Sequence, residues 1–280
     1  MTHNMKVGVC TWTFGPLPIE DIFARTARLG FDGVELHGDL DAFTPDMIRA
    51  LCQTHGLEVF SLTPGDCDPA SPDASDREAA ETYYRQLIDF AQAIGGARVS
   101  LHGLVGRIRP ADGSDQDSEY RHLVEALKPL CEYAAERSVP LVYEVLNRYE
   151  SHLINTAAQC RRLIQDIGSP QLKVLLDAYH MNIEEADPVR ALAETGDHLG
   201  LYHVADSNRG GIGQGHSQLA DQFTQLRAMQ YAGPIIVEAP AMGPDPFTPV
   251  KTGDYLTTLE DQLSRSVSAL RQHFALDVPA

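Results

Sequence analysis

Short apolar runs of strand length alternate along this chain with longer segments that open on a helix cap and close on glycine. Lys6–Thr11, Gly33–His37, Leu57–Leu62, Ala97–Leu101, Val139–Glu144, Leu172–Asp177, His198–Val204 and Pro234–Glu238 read as strands. Pro18–Leu29, Thr44–His55, Ser75–Ile94, Asp117–Arg137, Asn155–Ile167, Pro188–Thr195 and Ser217–Gln230 read as the helices between them, and Gly253–Phe274 closes the series. The punctuation supports the reading. Thr44 and Pro45 stand where a cap and a first-turn proline belong, and Gly30, Gly56 and Gly168 follow helix ends. Eight strand–helix units in unbroken succession predict an α/β chain folded as a (β/α)8 TIM barrel, residues 1–280 forming a single domain. A doubly wound sheet would show fewer units and a glycine fingerprint.

The chain has 280 residues, close to the roughly 250 typical of such a barrel. Its loops are unequal. Those after strands three, four, five, seven and eight are long and rich in Gly, Pro, Asp, His and Arg, whereas the loops after helices are short. In a barrel the first set lies on the face that carries chemistry. The formal charge of −17 argues against nucleic-acid or anionic-membrane partners, which need clustered Lys and Arg. Five scattered cysteines without a CxxC pair suggest neither a disulfide framework nor a zinc knuckle. No apolar stretch approaches the roughly 20 residues of a membrane span, and no signal-peptide layout is visible. The expected location is the cytoplasm.

The side chains carry the functional signal. Leu141–Glu144, Leu172–Asp177, Leu199–His203 and Pro234–Glu238 are apolar runs that each end on a metal-capable residue. Glu144, Asp177, His203 and Glu238 are spaced by 33, 26 and 35 residues, each gap about one crossover unit. Four consecutive parallel strands would therefore aim three carboxylates and one imidazole at one place. Such a donor set favours a hard divalent cation, Mn²⁺ or Mg²⁺ with Co²⁺ as a further candidate, over structural zinc. Glu144 and Glu238 would face each other across the barrel rim, the placement that proton removal on one side and return on the other requires. Singly, each acid also fits a helix cap or an arginine partner. Glu150 and Arg148 fit a surface ion pair, His180 a helix start, and Arg209 the decoration of a glycine-rich turn.

The segments Tyr143–Glu150, Leu176–Glu185 and His203–Gly215 resemble the signature blocks of the ketose 3-epimerases, the D-tagatose and D-psicose (D-allulose) 3-epimerases of the xylose isomerase-like barrels. Asp177-x-x-His180-Met181-Asn182-Ile183-Glu184-Glu185 is the most specific element. Gly33–His37 and Ser71–Arg77 extend the similarity more loosely. The resemblance implies metal ligation by Glu144, Asp177, His203 and Glu238, with Glu144 and Glu238 doubling as the acid/base pair. It further implies that Glu150, His180 and Arg209 hold the O1 and O2 end of a free ketose. Epimerisation at C3 would pass through a cis-enediolate, one glutamate taking the proton and the other returning it. The implied cofactor is one divalent ion, Mn²⁺ first, and the implied assembly a homodimer or homotetramer. Gly211-Ile212-Gly213, Ala239–Pro244 and Leu101–Arg107 depart from the familiar relatives, so the C4 to C6 end of the sugar is open. His102 and Arg107 are candidate contacts there. An aldose–ketose isomerase or a keto-polyol (inosose-type) dehydratase would reuse the same site. A phosphodiesterase of damaged DNA needs a basic groove, and a non-catalytic sugar binder needs no proton transfer. Arg209 beside the Gly210–Gly215 loop leaves a phosphorylated substrate open.

Overall fold

All eight strands pair in parallel with their sequence neighbours, and β1 closes on β8. The computed structural model describes residues 5–102, 108–109, 115–241 and 251–276. The strands are β1 (Val7–Cys10), β2 (Gly33–His37), β3 (Glu58–Thr63), β4 (Arg98–Leu101), β5 (Leu141–Glu144), β6 (Leu172–Asp177), β7 (Leu199–Val204) and β8 (Ile235–Val237). The described helices are α1 (Ile19–Arg28), α2 (Pro45–His55), α3 (Ala74–Ala93), α4 (Gln116–Glu136), α5 (Ala157–Ile167), α6 (Ala178–Glu184), α7 (Pro188–Thr195), α8 (Leu219–Ala228) and α9 (Tyr255–Phe274). The predicted barrel is the observed one. No described helix is long and apolar enough to cross a membrane.

Local chemistry explains the boundaries. Thr44 accepts the Met47 N–H ahead of Pro45, and Gly56 ends α2 in the left-handed region at φ 66°. Thr156 and Gln159 form a capping box at α5, which Gly168 ends at φ 73°. One element was not foreseen. The sequence reading placed a single helix, Pro188–Thr195, after strand six, but α6 begins directly at Ala178. Its cap is Asp177 itself, whose Oδ1 accepts the Tyr179 N–H at 2.9 Å. Strand seven also starts one residue later than expected, because Gly196–His198 form a tight 3₁₀ turn.

The two-residue period of the strands sorts the core. Outward residues such as Leu141, Tyr143, Val174, Leu176, Tyr202 and Val204 pack in the main cluster with the helices. Inward residues Cys10, Phe60, Val142, Leu175, Leu201 and Ile236 fill the barrel lumen. Phe60 occupies space that its neighbours leave. A Cβ at Gly33 would stand 2.7 Å from its ring and one at Gly8 2.8 Å, so both positions need glycine. This apolar layer is the floor on which the site rests.

Candidate metal centre

Two residues beyond Val142, Leu175, Leu201 and Ile236 stand Glu144, Asp177, His203 and Glu238. The pleat therefore turns all four inward, one layer above the apolar floor. Asp177 and His203 are direct partners between β6 and β7. Glu238 lies one residue past β8, but its N–H donates to the Val204 carbonyl at 3.0 Å and continues the ladder. One ligand atom from each of the four side chains lies within 4.8 Å of the others, and all four are buried. The four candidate ligands read from the sequence are thus brought together.

The charges explain why this cluster suits a cation. Glu35, Glu144, Asp177 and Glu238 are four buried carboxylates around the His203 imidazole and the Arg209 guanidinium. Burial, and next the Glu238 charge, push the Glu144 carboxyl well above its usual range. Glu238 moves the other way: burial works against it, but Arg209 and His203 hold it down at about 2. His203 is raised, its burial outweighed by Glu35 and Glu238. So much buried negative charge is expensive without a further positive partner. A divalent ion among three carboxylates and one imidazole fits this donor set.

Arg209 and His180 stand beside the cluster. Arg209 Nη1 reaches Asp177 Oδ2 at 2.5 Å and Nη2 lies 3.3 Å from Glu238 Oε2, with the guanidinium 4.6 Å above the Tyr179 ring. Its backbone is left-handed, φ 61°, in a loop wound around the Asp206 carboxylate, which accepts from Ser207, Gly213 and Ser217. His180 Nδ1 accepts the Asn147 backbone N–H at 3.2 Å. That bond fixes the tautomer with the proton on Nε2. His180 Nε2 is buried, 3.5 Å from Asp177 Oδ2 and without a hydrogen-bond partner among the described residues. Asn147 Nδ2 also meets His180 Nδ1 and donates to Glu150 Oε1, both at 2.8 Å, joining the two predicted substrate contacts. Arg148 pairs with Glu184, so the Arg148–Glu150 surface pair does not form.

These groups border a cavity of about 340 Å³ at the C-terminal end of the strands. Glu144, Glu150, His180, Arg209 and Glu238 line its floor, and Trp12, His37, Thr63, Asp66 and His102 its outer wall. A larger cavity of about 560 Å³ lies at the opposite end, among Arg98, Lys173, Asp197 and Gln230. Size does not decide between them: the convergent acids and imidazoles border the smaller one, on the face where barrels do chemistry.

The sequence matches the model of the xylose isomerase-like TIM barrel family over residues 23–272. A D-psicose 3-epimerase of Agrobacterium fabrum is 30% identical over 255 residues, 86% of this chain and 81% of the relative. The chain belongs to the ketose 3-epimerase family. The 3-dehydro-D-guloside 4-epimerase of Escherichia coli is 29% identical over 249 residues, 86% of this chain and 95% of the relative. A crystal structure of a D-psicose 3-epimerase in the presence of D-fructose shares the fold, with a TM-score of 0.87 at 24% identity, covering 96% of this chain and 99% of that one.

As a member of the ketose 3-epimerases the chain is an enzyme of the isomerase class. Three residues at the site escaped the sequence reading. Trp12 Nε1 donates to Glu238 Oε1 at 3.0 Å. Glu35 Oε2 lies 3.0 Å from His203 Nε2, and Asn147 holds His180. Trp12 and Asn147 follow strands and Glu35 sits in the middle of β2; none belongs to the ligand pattern on β5 to β8, although Asn147 and Glu35 lie inside segments that carry the family resemblance. The glycine-rich loop does not form a phosphate cradle. Its Gly210, Gly211 and Gly213 N–H groups already donate to Asn208, Gln214 and Asp206, and Arg209 turns inward. His102 borders the outer cavity, whereas Arg107 lies outside the described residues.

Proposed function

We propose that this chain is a divalent-metal-dependent epimerase of free ketoses at C3, with Glu144 and Glu238 exchanging the proton. The observation that carries the reading is the convergence of Glu144, Asp177, His203 and Glu238 on one point beside His180 Nε2, which makes no hydrogen bond among the described residues. These four would hold the ion, Mn²⁺ first with Co²⁺ or Mg²⁺ as alternatives. The cation would polarise the ketose carbonyl and acidify the adjacent C–H. His180 offers its Nε2–H to a sugar oxygen, Glu150 accepts from a hydroxyl, and Arg209 completes the contacts at the O1 and O2 end. Glu144 and Glu238 rise from β5 and β8, on opposite sides of the lumen. One takes the C3 proton and becomes a carboxylic acid, the other delivers its proton to the opposite face, and the reverse reaction exchanges the roles. Burial of the floor keeps bulk water from the proton in transit.

The epimerase relatives favour this reading over an aldose–ketose isomerase or a keto-polyol dehydratase. A second reading keeps the machinery and shifts the carbon. The E. coli 4-epimerase of a 3-dehydro-guloside aligns over 95% of its own length, and the outer wall here presents His37, Asp66 and His102. In that case the proton moves at C4 of a 3-keto-pyranoside, again next to a carbonyl. Proton NMR in D₂O decides. The Mn²⁺-loaded enzyme is incubated with free ketoses and with 3-keto-pyranosides, and the Mn²⁺ removed before spectra are taken. Deuterium at ketose C3 together with the C3 epimer supports the first reading, and deuterium only at C4 of the pyranoside supports the second. An aldose product, an enone or no exchange refutes both. The cytoplasm and a homodimer or homotetramer complete the proposal.

A further inference from the structure

Glu35 stands behind the cluster rather than in it. It is 1% exposed on β2, where the pairing with β3 shifts register between Val34 and Glu35 and brings Glu35 opposite Ser61. Such a shift re-aims a side chain. Both carboxylate oxygens are then held. Ser61 Oγ donates to Oε2 and Thr63 Oγ1 to Oε1, each at 2.6 Å, and the Cys10 thiol reaches Oε1 at 3.3 Å. The remaining contact of Oε2 is His203 Nε2 at 3.0 Å. The other ring nitrogen faces the opposite way: His203 Nδ1 lies 2.9 Å from Glu238 Oε2 and 3.6 Å from Glu144 Oε1. The imidazole thus spans two carboxylate environments, an outer one fixed by three neutral donors and an inner one that forms the proposed ion site.

We propose that Glu35 is a positioning residue that accepts the Nε2–H of His203 and so presents Nδ1, with its lone pair, to the ion held by Glu144, Asp177 and Glu238. The inference rests on the metal-site reading above. An imidazole ligand uses one nitrogen for the ion, and the bond made by the other decides which nitrogen that is. A flipped ring would set a C–H against Glu35 Oε2 and leave that buried, charged oxygen with Ser61 as its remaining donor. Ser61, Thr63 and Cys10 prevent the carboxylate from following such a flip. A purely structural buried acid would satisfy the same three donors without needing His203 in one orientation.

The imidazole ¹⁵N spectrum of the Zn²⁺-loaded wild-type protein reads the assignment directly, independent of turnover. The expected spectrum shows His203 protonated at Nε2 and metal-shifted at Nδ1; protonation at Nδ1 with Nε2 metal-shifted overturns the proposal. Calorimetric titration with Mn²⁺ then compares wild type, Glu35→Gln and Asp177→Asn. Glu35→Gln is expected to keep the wild-type melting temperature within a few degrees while weakening Mn²⁺ binding by about 10–100-fold. The visible spectrum of its Co²⁺ form should shift as the ring loses its fixed orientation. Affinity within about twofold of wild type, with an unchanged Co²⁺ spectrum, overturns the proposal while Asp177→Asn still loses the ion. Wild type that binds no Mn²⁺ or Zn²⁺ overturns the metal reading itself. Should Glu35→Gln fail to fold, the wild-type ¹⁵N spectrum still decides.

Discussion

Replacing Arg209 by methionine removes the guanidinium set between Asp177 and Glu238 while leaving a side chain of comparable length over Tyr179. Arg209 is 6% exposed, and its contacts to the two carboxylates measure 2.5 and 3.3 Å. Solvent screening is therefore slight, and breaking a buried pair from one side costs about 3–5 kcal/mol, because the acids left behind stay buried. At roughly 2–4 °C per kcal/mol for a chain of this order of size, the chelator-treated variant is expected to melt roughly 6–20 °C below wild type. A bound Mn²⁺ would neutralise the same acids. At one hundred times its dissociation constant it adds about 2.7 kcal/mol, so the variant should regain much of the loss on loading. Arg209→Lys keeps the charge but not the two-pronged reach, and is expected to fall between the two. Differential scanning calorimetry with and without Mn²⁺ measures all three proteins. A chelated Arg209→Met protein that melts within about 2 °C of wild type would refute the charge argument made for this site.

Four further outcomes are expected. Glu238→Gln and Glu144→Gln should each lower kcat by about 10²–10⁴-fold, read as C3 deuterium incorporation, since each removes a proton-moving group; a rate within a few-fold of wild type would show the wrong residue was chosen. Chelation should abolish turnover and Mn²⁺ or Co²⁺ restore it, so full activity in chelated protein would sink the metal assignment. Asn147→Leu, which frees Glu150 and removes one of two contacts to His180 Nδ1, should raise KM more than it lowers kcat; unchanged steady-state kinetics would contradict the proposed role of Asn147. Burial, and next the Glu238 charge, raise Glu144, and the burial of His203 is outweighed by Glu35 and Glu238, which raise it, so protons compete with the ion at both groups. Calorimetry in buffers of different ionisation enthalpy should therefore find protons released on Mn²⁺ binding, with affinity falling as pH falls; none released would contradict those directions.

What the sequence exposed depended on whether a residue signals through its own strand. Glu144, Asp177, His203 and Glu238 each end an apolar run, and the spacing of the runs implied four neighbouring strands; the barrel followed from the same alternation. Glu35 sits in an equally apolar stretch, Gly33-Val34-Glu35-Leu36-His37, but in its middle, where it does not share the run-ending acid pattern. Val34 and Leu36 pack outward, so alternation turns Glu35 inward, and the register shift on β3 sets Ser61 opposite it, a pairing that no single strand announces. Trp12 follows β1 in a 3₁₀ turn, and its bond to Glu238 spans 226 residues of sequence. The α6 helix was hidden for another reason. Its cap, Asp177, was read as a ligand, and the structure uses Oδ1 for the cap and Oδ2 for Arg209.

The halves of the barrel do different work at the site. β5 to β8 supply the groups that converge on one point, whereas β1 to β3 supply groups that touch those side chains from behind: Trp12 on Glu238, Glu35 on His203, and Cys10, Ser61 and Thr63 on Glu35. The division follows from geometry. The four adjacent strand ends of β5 to β8 bring one ligand atom of each side chain within 4.8 Å of the others, and His203 is shared with a second group formed by Cys10 and Glu35. β1 lies directly beside β8, so the other half of the barrel meets the cluster at its flank and acts through the side chains already there. Trp12 reaches Glu238 from β1, the direct neighbour of β8, and Glu35, held by two hydroxyls on β3, reaches His203 on β7 from β2. On the proposed mechanism, substitutions on β1 to β3 should change how tightly the ion is held and how the bases are aimed, while substitutions on β5 to β8 should remove the candidate ligands and bases themselves.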